Sequence, residues 1–163
     1  MSLLNRRNFC FSAIALTAGC GFEPVYGPSG SADSLRGSIL VDAPEDKNEF
    51  DLTNQIEDRL GAPQNARFGL SVDIETRVEA LAITQSQETT RYNVAGSADF
   101  TLRDLNTQQI LTTGSAQNFT SFGATSDTVS TRSARADALR RLMVVLGNEI
   151  SDQLIIDSTG FLP

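Results

Sequence analysis

The chain has 163 residues, and its 13 Lys and Arg against 20 Asp and Glu give a net charge of −7. Histidine is absent and Lys47 is the only lysine, so the commonest general base, the commonest metal ligand and Ser–Lys catalysis are all disfavoured. The acidic balance also argues against nucleic acid as a partner, and the sequence has neither a Gly-rich phosphate loop nor a nucleophile elbow.

Residues 1–19 have the layout of an export signal. Arg6 and Arg7 form a positive start, and an apolar stretch and small residues follow. The apolar stretch of about ten residues is too short to span a membrane, which takes roughly 20. The two arginines are followed by Asn and Phe, so the segment also resembles a twin-arginine signal. The sequence leaves both the twin-arginine route and the general secretory route open.

Cys20 follows Gly19 at an ending that resembles a lipobox, where a signal peptidase cuts before a lipid-bearing cysteine. We predict cleavage between Gly19 and Cys20, and covalent diacylglycerol and an N-acyl chain on Cys20, with no other cofactor and no metal. Cys10 leaves with the signal, so Cys20 has no disulfide partner in the mature chain. That disfavours the alternative, an ordinary signal with a chance cysteine. Two or more lipid chains anchor a protein stably.

Residues 20–34 are rich in Gly, Pro and Ser, which predicts a lipidated N-terminus followed by a flexible tether. Residues 35–163 are left for one domain of ordinary size. The apolar run from Ser38 to Val41 predicts a first short strand.

A helix is predicted next, because Leu52, Ile56 and Leu60 recur at helical spacing. Asn48 is the expected N-cap, and Gly61 ends the helix. The apolar stripe indicates core packing.

Three strands follow. Apolar residues alternate with polar ones from Phe68 to Val78 and again from Tyr92 to Leu102, which predicts two half-buried antiparallel strands. A polar loop, Ala82–Thr90, is expected between them. A tight turn at Asp104–Thr107 leads into a third strand, Ile110 to Phe122, which we expect to be bulged around an internal glycine, Gly114.

The last element is a long amphipathic helix from about Thr131 to Ile156. Four arginines cluster in its first half, where solvation or pairing with Asp137 is the ordinary interpretation; they are Arg132, Arg135, Arg140 and Arg141. The order β-α-β-β-β-α predicts an α+β fold, a two-layer α/β sandwich with two helices on one face of a mixed four-stranded sheet. The other face would be polar and wet, or covered by a partner.

Two stretches resemble the LptE-type lipopolysaccharide-assembly lipoproteins of the alphaproteobacterial branch. The first is the predicted mature start, Cys-Gly-Phe-Glu-Pro-Val-Tyr-Gly from Cys20 to Gly27. The second is the strand around Arg91–Gly96 with Phe100–Leu102. The element order and the closing long helix are also similar to that family. The resemblance covers essentially the whole mature chain.

The resemblance implies a non-enzymatic lipoprotein that is anchored in the outer membrane and faces the periplasm. It also implies that the protein partners and plugs an LptD-type β-barrel and binds lipopolysaccharide during transport and assembly. Gly21 after Cys20 agrees with the outer membrane, since lipoproteins retained in the inner membrane often carry Asp there. The acidic balance is unlike a lipopolysaccharide-binding surface, which should be locally basic.

Arg77 and Arg91 flank the polar loop and are the candidate ligand-binding residues on charge alone. Cross-strand pairing with carboxylates is their ordinary structural interpretation. Two other functions stay open. One is an auxiliary lipoprotein subunit of an ABC-type envelope transporter, and the other is a hydrolase that uses two facing carboxylates in a pocket.

Overall fold

The structure is a computed structural model that describes residues 35–83, 89–124 and 127–162. Its elements follow the predicted order β-α-β-β-β-α, with a short 3₁₀ turn at the end. They are β1 (Ile39–Val41), α1 (Lys47–Leu60), β2 (Phe68–Ile83), β3 (Thr89–Asp104), β4 (Ile110–Gly123), α2 (Thr128–Asp157) and the turn Ser158–Gly160.

The four strands form one sheet in the order β1-β2-β3-β4. β1 runs parallel to β2, and the other pairs are antiparallel, so the predicted mixed sheet and α+β fold are confirmed. The alternation along β2 and β3 is confirmed as well, because the predicted apolar side of each strand is buried in or packed against the core, whereas the other side is half-buried or exposed. The core lies between that buried side and the two helices.

The expected loop between β2 and β3 was predicted too long. β2 continues to Ile83 and β3 begins at Thr89, with two register shifts beside Ala82. Beyond the core, β2 and β3 continue as a two-stranded ribbon, because their backbone groups pair with each other whatever the side chains are. A prediction from hydrophobic alternation cannot detect such a polar extension.

α1 begins earlier than predicted, because the N-cap is Asp46 and not Asn48. The Asp46 carboxylate accepts a hydrogen bond from the Glu49 N–H at 2.8 Å, which satisfies one of the free N–H groups of the first turn. Gly61 ends the helix as predicted, with a φ of 84°. Leu52, Ile56 and Leu60 are buried, so the apolar stripe is core.

α2 begins at Thr128, three residues before the predicted start, because Asp127 caps it. The Ser130 hydroxyl and two backbone N–H groups donate to the Asp127 carboxylate, and these bonds hold its pKa below the ordinary value. Arg140 and Arg141 both pair with Asp137, at 3.5 and 3.0 Å, which confirms the ordinary interpretation for those two arginines.

The turn at Asp104–Thr107 is confirmed. Backbone N–H groups of Thr107 and Asn106 donate to the Asp104 carboxylate and lower its pKa. β4 does contain a bulge, but at Leu111, since Arg103 pairs with Ile110 and the next pair joins Leu102 to Thr112.

Gly114 is regularly paired with Phe100 and leaves room for its ring. A Cβ at Gly114 would lie 2.6 Å from Phe100 Cζ, so a larger residue would displace a buried aromatic side chain. The glycine that predicted a bulge therefore has a packing role.

The predicted signal (1–19), the cleavage site at Gly19 and Cys20, and the tether (20–34) lie outside the described residues. Within the part of the chain that the structure describes, no helix is long and apolar enough to cross a membrane.

Candidate functional site

The face of the sheet opposite the helices is open across β2, β3 and β4, and we call it the open face. Its side chains form rows that cross the three strands. The rows are Ser71–Thr101–Thr113, Asp73–Asp99–Ser115, Glu75–Ser97–Gln117, Arg77–Ala95–Phe119 and Glu79–Asn93–Ser121. Most of these residues are polar, as the sequence predicted for the face away from the core.

A shallow depression of about 370 Å³ lies in the middle of the open face. Small residues of β3, Ala95 and Ser97, form its floor, and Glu75, Arg77 and Phe119 stand at its sides. Phe119 is 65% exposed, although phenylalanine is among the residues most often buried. The depression thus combines a largely exposed aromatic ring with a charged rim.

Arg77 and Arg91 both lie on the open face, so the structure brings the two candidate arginines to one surface. Arg77 lines the depression and stands opposite Ala95. Arg91 lies four residues before Ala95 on β3 and pairs with Gly123 of β4. Neither arginine forms an ion pair with any described residue, so the expected cross-strand pairing with carboxylates is not found there.

The N-terminal part of α2 lies at the same end of the molecule as Arg91. α2 runs antiparallel to β4, since Arg141 donates to the Ser121 carbonyl and Thr112 donates to Asp157 near the other end. Arg132 and Arg135 therefore lie near the ribbon end of the sheet. Both are exposed and pair with no described carboxylate. An acidic chain thus gathers four arginines at one end, where they outnumber the neighbouring carboxylates of Glu79 and Asp127, so we call it the basic end.

The opposite end carries a bridge that crosses a whole strand. The Arg103 guanidinium, on β3, passes over Gly69 of β2 and donates to both Asp42 oxygens, at 2.6 and 3.2 Å. Asp42 follows β1 directly, so the bridge joins three strands. These hydrogen bonds raise the pKa of Arg103.

Asp73 and Asp99 stand directly opposite each other on neighbouring strands of the open face. Both are exposed, and neither pairs with a described cation. Like charges in this position destabilise a sheet, and Glu75 adds a third carboxylate on the diagonal. The isolated chain therefore carries an uncompensated repulsion on the surface that lacks a cover.

Sequence reasoning missed Phe119 and the Asp73–Asp99 pair. Alternation places Asp73 and Asp99 on the outer face, but only the register of β2 and β3 makes them neighbours. A signal for Phe119 was present, since it is the one aromatic residue on the outward positions of a strand rich in Thr, Ser and Gln.

The depression has a single carboxylate at its side, that of Glu75, and so lacks the two facing carboxylates that a hydrolase would need. Among the described residues, no group of three or more His, Cys, Asp and Glu is placed to hold a metal ion. The arrangement suits contact with another molecule.

A comparison with sequence models of known protein families finds a family whose model matches more than half of the chain. The sequence model of the family described as LptE, lipopolysaccharide-assembly, matches residues 37–154. No curated protein matches the sequence.

Several solved structures have a similar fold. A proposed lipoprotein from Caulobacter crescentus CB15 has a TM-score of 0.67 at 18% identity, covering 79% of this chain and 96% of that one. The rare lipoprotein B from Shewanella oneidensis has a TM-score of 0.60 at 8% identity, with coverage of 76% and 96%. A minor lipoprotein from Acinetobacter baumannii has a TM-score of 0.53 at 17% identity, with coverage of 73% and 89%.

Asp99→Asn is expected to stabilise the isolated chain by about 0.2–1 kcal/mol, because it removes the repulsion from Asp73. Urea unfolding at low salt measures the change, and 1 M NaCl should abolish it through screening. Glu79→Gln is the matched control, since Glu79 is exposed on the same face but faces Asn93, and it should give no gain. An equal gain from both variants would show that the Asp73–Asp99 pair has no special cost.

Proposed function

The chain belongs to the LptE family of lipopolysaccharide-assembly proteins, and on that premise we propose that it is an outer-membrane lipoprotein that assists lipopolysaccharide transport and assembly. Lipid on Cys20 anchors it, with the folded domain facing the periplasm. Its protein partner is an LptD-type β-barrel, whose lumen it plugs. Its contribution is binding and positioning, because the family is non-enzymatic.

The observation that carries this proposal is the open face. One whole side of a three-stranded surface, from Ser71 to Glu79 and across to β4, is polar and uncovered. The lumen of a barrel is wet and lined by polar side chains, so such a face can lie against it without a large desolvation cost. An exposed aromatic ring, Phe119, supplies the kind of anchor that protein interfaces favour.

We place the lipopolysaccharide contact at the basic end, with Arg77 and Arg91 as its residues on the open face. An arginine without an internal carboxylate partner retains its donors for an anionic group, and guanidinium binds phosphate in a two-bond geometry. Arg132 and Arg135 add positive charge at that end of the molecule. These four arginines supply the local positive charge that a lipopolysaccharide contact needs on a chain whose net charge is negative.

Co-purification from the native host tests the barrel partnership. A C-terminally tagged full chain, extracted in detergent, is expected to bring down an LptD-type barrel in near-equal amount. A clean preparation without the barrel would contradict the proposal, and an ABC-type transporter in its place would support the alternative subunit role.

The Cys20→Ser variant should lose its lipid and partition away from the membrane fraction, as shown by fractionation and mass spectrometry.

Charge reversal tests the lipopolysaccharide contact. In the double variant Arg77→Glu/Arg91→Glu, the lipopolysaccharide recovered with the protein should fall about tenfold, equivalent to about 1.4 kcal/mol. Arg36→Glu is the control, because Arg36 is exposed and unpaired among the described residues but lies at the opposite end of the sheet. Equal recovery from the double variant and the control would remove Arg77 and Arg91 from the contact.

A further inference from the structure

The two long edges of the sheet differ in how they are protected. β1 covers β2 only from Phe68 to Leu70, so the rest of β2 is a free edge. Four of the seven residues from Asp73 to Glu79 are charged, and charged side chains discourage another strand from pairing at an edge. β4 is the opposite edge, and its 14 residues include neither a charge nor a proline.

The direction of each backbone group on β4 follows from bonds at the other side of the sheet. The Asp42 N–H donates to the Leu70 carbonyl, and the Phe68 N–H donates to the Ser38 carbonyl, so the backbone N–H and C=O groups of even-numbered residues of β2 point toward β1. The direction of these backbone groups alternates from one residue to the next along a strand. It follows from the strand register that the backbone groups of even-numbered residues of β4, from Thr112 onward, point toward β3, and those of odd-numbered residues point toward the free edge.

Two side chains close the later part of that edge. Asn118 Oδ1 accepts from the Phe119 N–H at 2.9 Å, and Arg141 donates to the Ser121 carbonyl at 3.2 Å. Thr113, Ser115 and Gln117 have no such caps among the described residues, and all three are exposed. Three N–H and three C=O groups thus form an open ladder over Thr113–Gln117, which fits an added strand of about five to seven residues.

The charge beside the open ladder indicates what the added strand must carry. Ser115 ends the row that begins with Asp73 and Asp99, so a side chain opposite Ser115 on an added strand would continue the same row. The two carboxylates favour a cation at that position. A second copy of β4 would offer only uncharged residues there, and the net charge of −7 opposes self-association.

The molecule itself shows that a cation can reach across a strand in this way. Arg103 spans β2 above Gly69 to bind Asp42 on the far side. A Lys or Arg on an added strand has the same span to cover, about two strand spacings or roughly 9.6 Å, with the small Ser115 beneath it and Asp99 at the end.

From these contacts we infer that the β4 edge, Thr113–Gln117, binds an extended segment of another envelope protein by strand addition. The segment carries a Lys or Arg opposite Ser115, and that side chain crosses Ser115 to Asp99. The pairing supplies backbone hydrogen bonds, and the cation relieves the Asp73–Asp99 repulsion. This interaction goes beyond the proposed function and holds whichever protein supplies the segment, so its failure would leave the barrel co-purification unaffected.

A synthetic peptide, Thr-Val-Thr-Lys-Thr-Val-Thr with capped ends, tests the inference on the ¹⁵N-labelled full chain in detergent. Amide hydrogen exchange is read residue by residue. In the free chain the edge-facing amides of Thr113, Ser115 and Gln117 should exchange much faster than those of Thr112, Gly114 and Ala116. The peptide should slow all three edge-facing amides, and replacing its Lys by Glu should weaken binding about tenfold.

Variants of the chain distinguish the contribution of the backbone hydrogen bonds at the β4 edge from that of the carboxylate charge. Ser115→Pro removes an edge-facing N–H and should abolish binding, whereas Thr76→Pro is the matched control because its N–H faces the free edge of β2. Asp99→Asn should reduce the preference for the Lys peptide over the Glu peptide at least threefold. If Ser115→Pro does not fold, the inference is still tested on the unmodified chain by the exchange pattern and by the affinities of the Lys and Glu peptides.

Three results would overturn the inference. One is binding of the Lys peptide without protection of the three edge-facing amides, and another is equal affinity for the Lys and Glu peptides. The third is protection of those amides in the free chain that rises with protein concentration, since this would show that a second copy occupies the edge.

Discussion

The close seating of α2 on the sheet is the constraint on which the rest of the structure depends. The Leu142 side chain occupies the space above Gly96 of β3, where a Cβ would lie 2.8 Å from Leu142 Cδ2. The Thr120 hydroxyl donates to the Ala138 carbonyl, which ties the helix to β4. α1 then packs beside α2, with Gln55 donating to Asn148. Because both helices share one face, the opposite face has no cover.

The polar positions of the strand pattern form the same surface that we propose for the partner, because the helices leave that face of the sheet uncovered. The same alternation that buries Leu70 and Phe100 places Asp73, Asp99 and Arg77 in solvent. The Asp73–Asp99 pair costs the free chain stability, and the exposed Phe119 ring lies on the same face, two rows further along the strands. In the proposed complex, contacts with the partner offset the charge repulsion and cover the exposed ring.

Alternation and helical spacing were enough to predict the element order, the two-layer fold and the outer face from the sequence. Element starts were less predictable, because Asp46 and Asn48 are both good caps and only the backbone geometry selects between them. The register was beyond reach, since it depends on the turn at Asp104 and the bulge at Leu111. The Asp73–Asp99 pair and the row ending at Ser115 are register effects, so the candidate surface could be predicted only in outline.

Photo-crosslinking in the native envelope tests most directly whether the open face is the partner surface. A benzophenone amino acid is placed at Glu75 or Gln117 on the open face, and at Asn54 or Val144 on the exposed sides of the helices. We expect the open-face positions to form adducts with the LptD-type barrel at least as strongly as the helix positions. Barrel adducts from the helix positions alone, with none from Glu75 or Gln117, would show that the open face is not the partner surface.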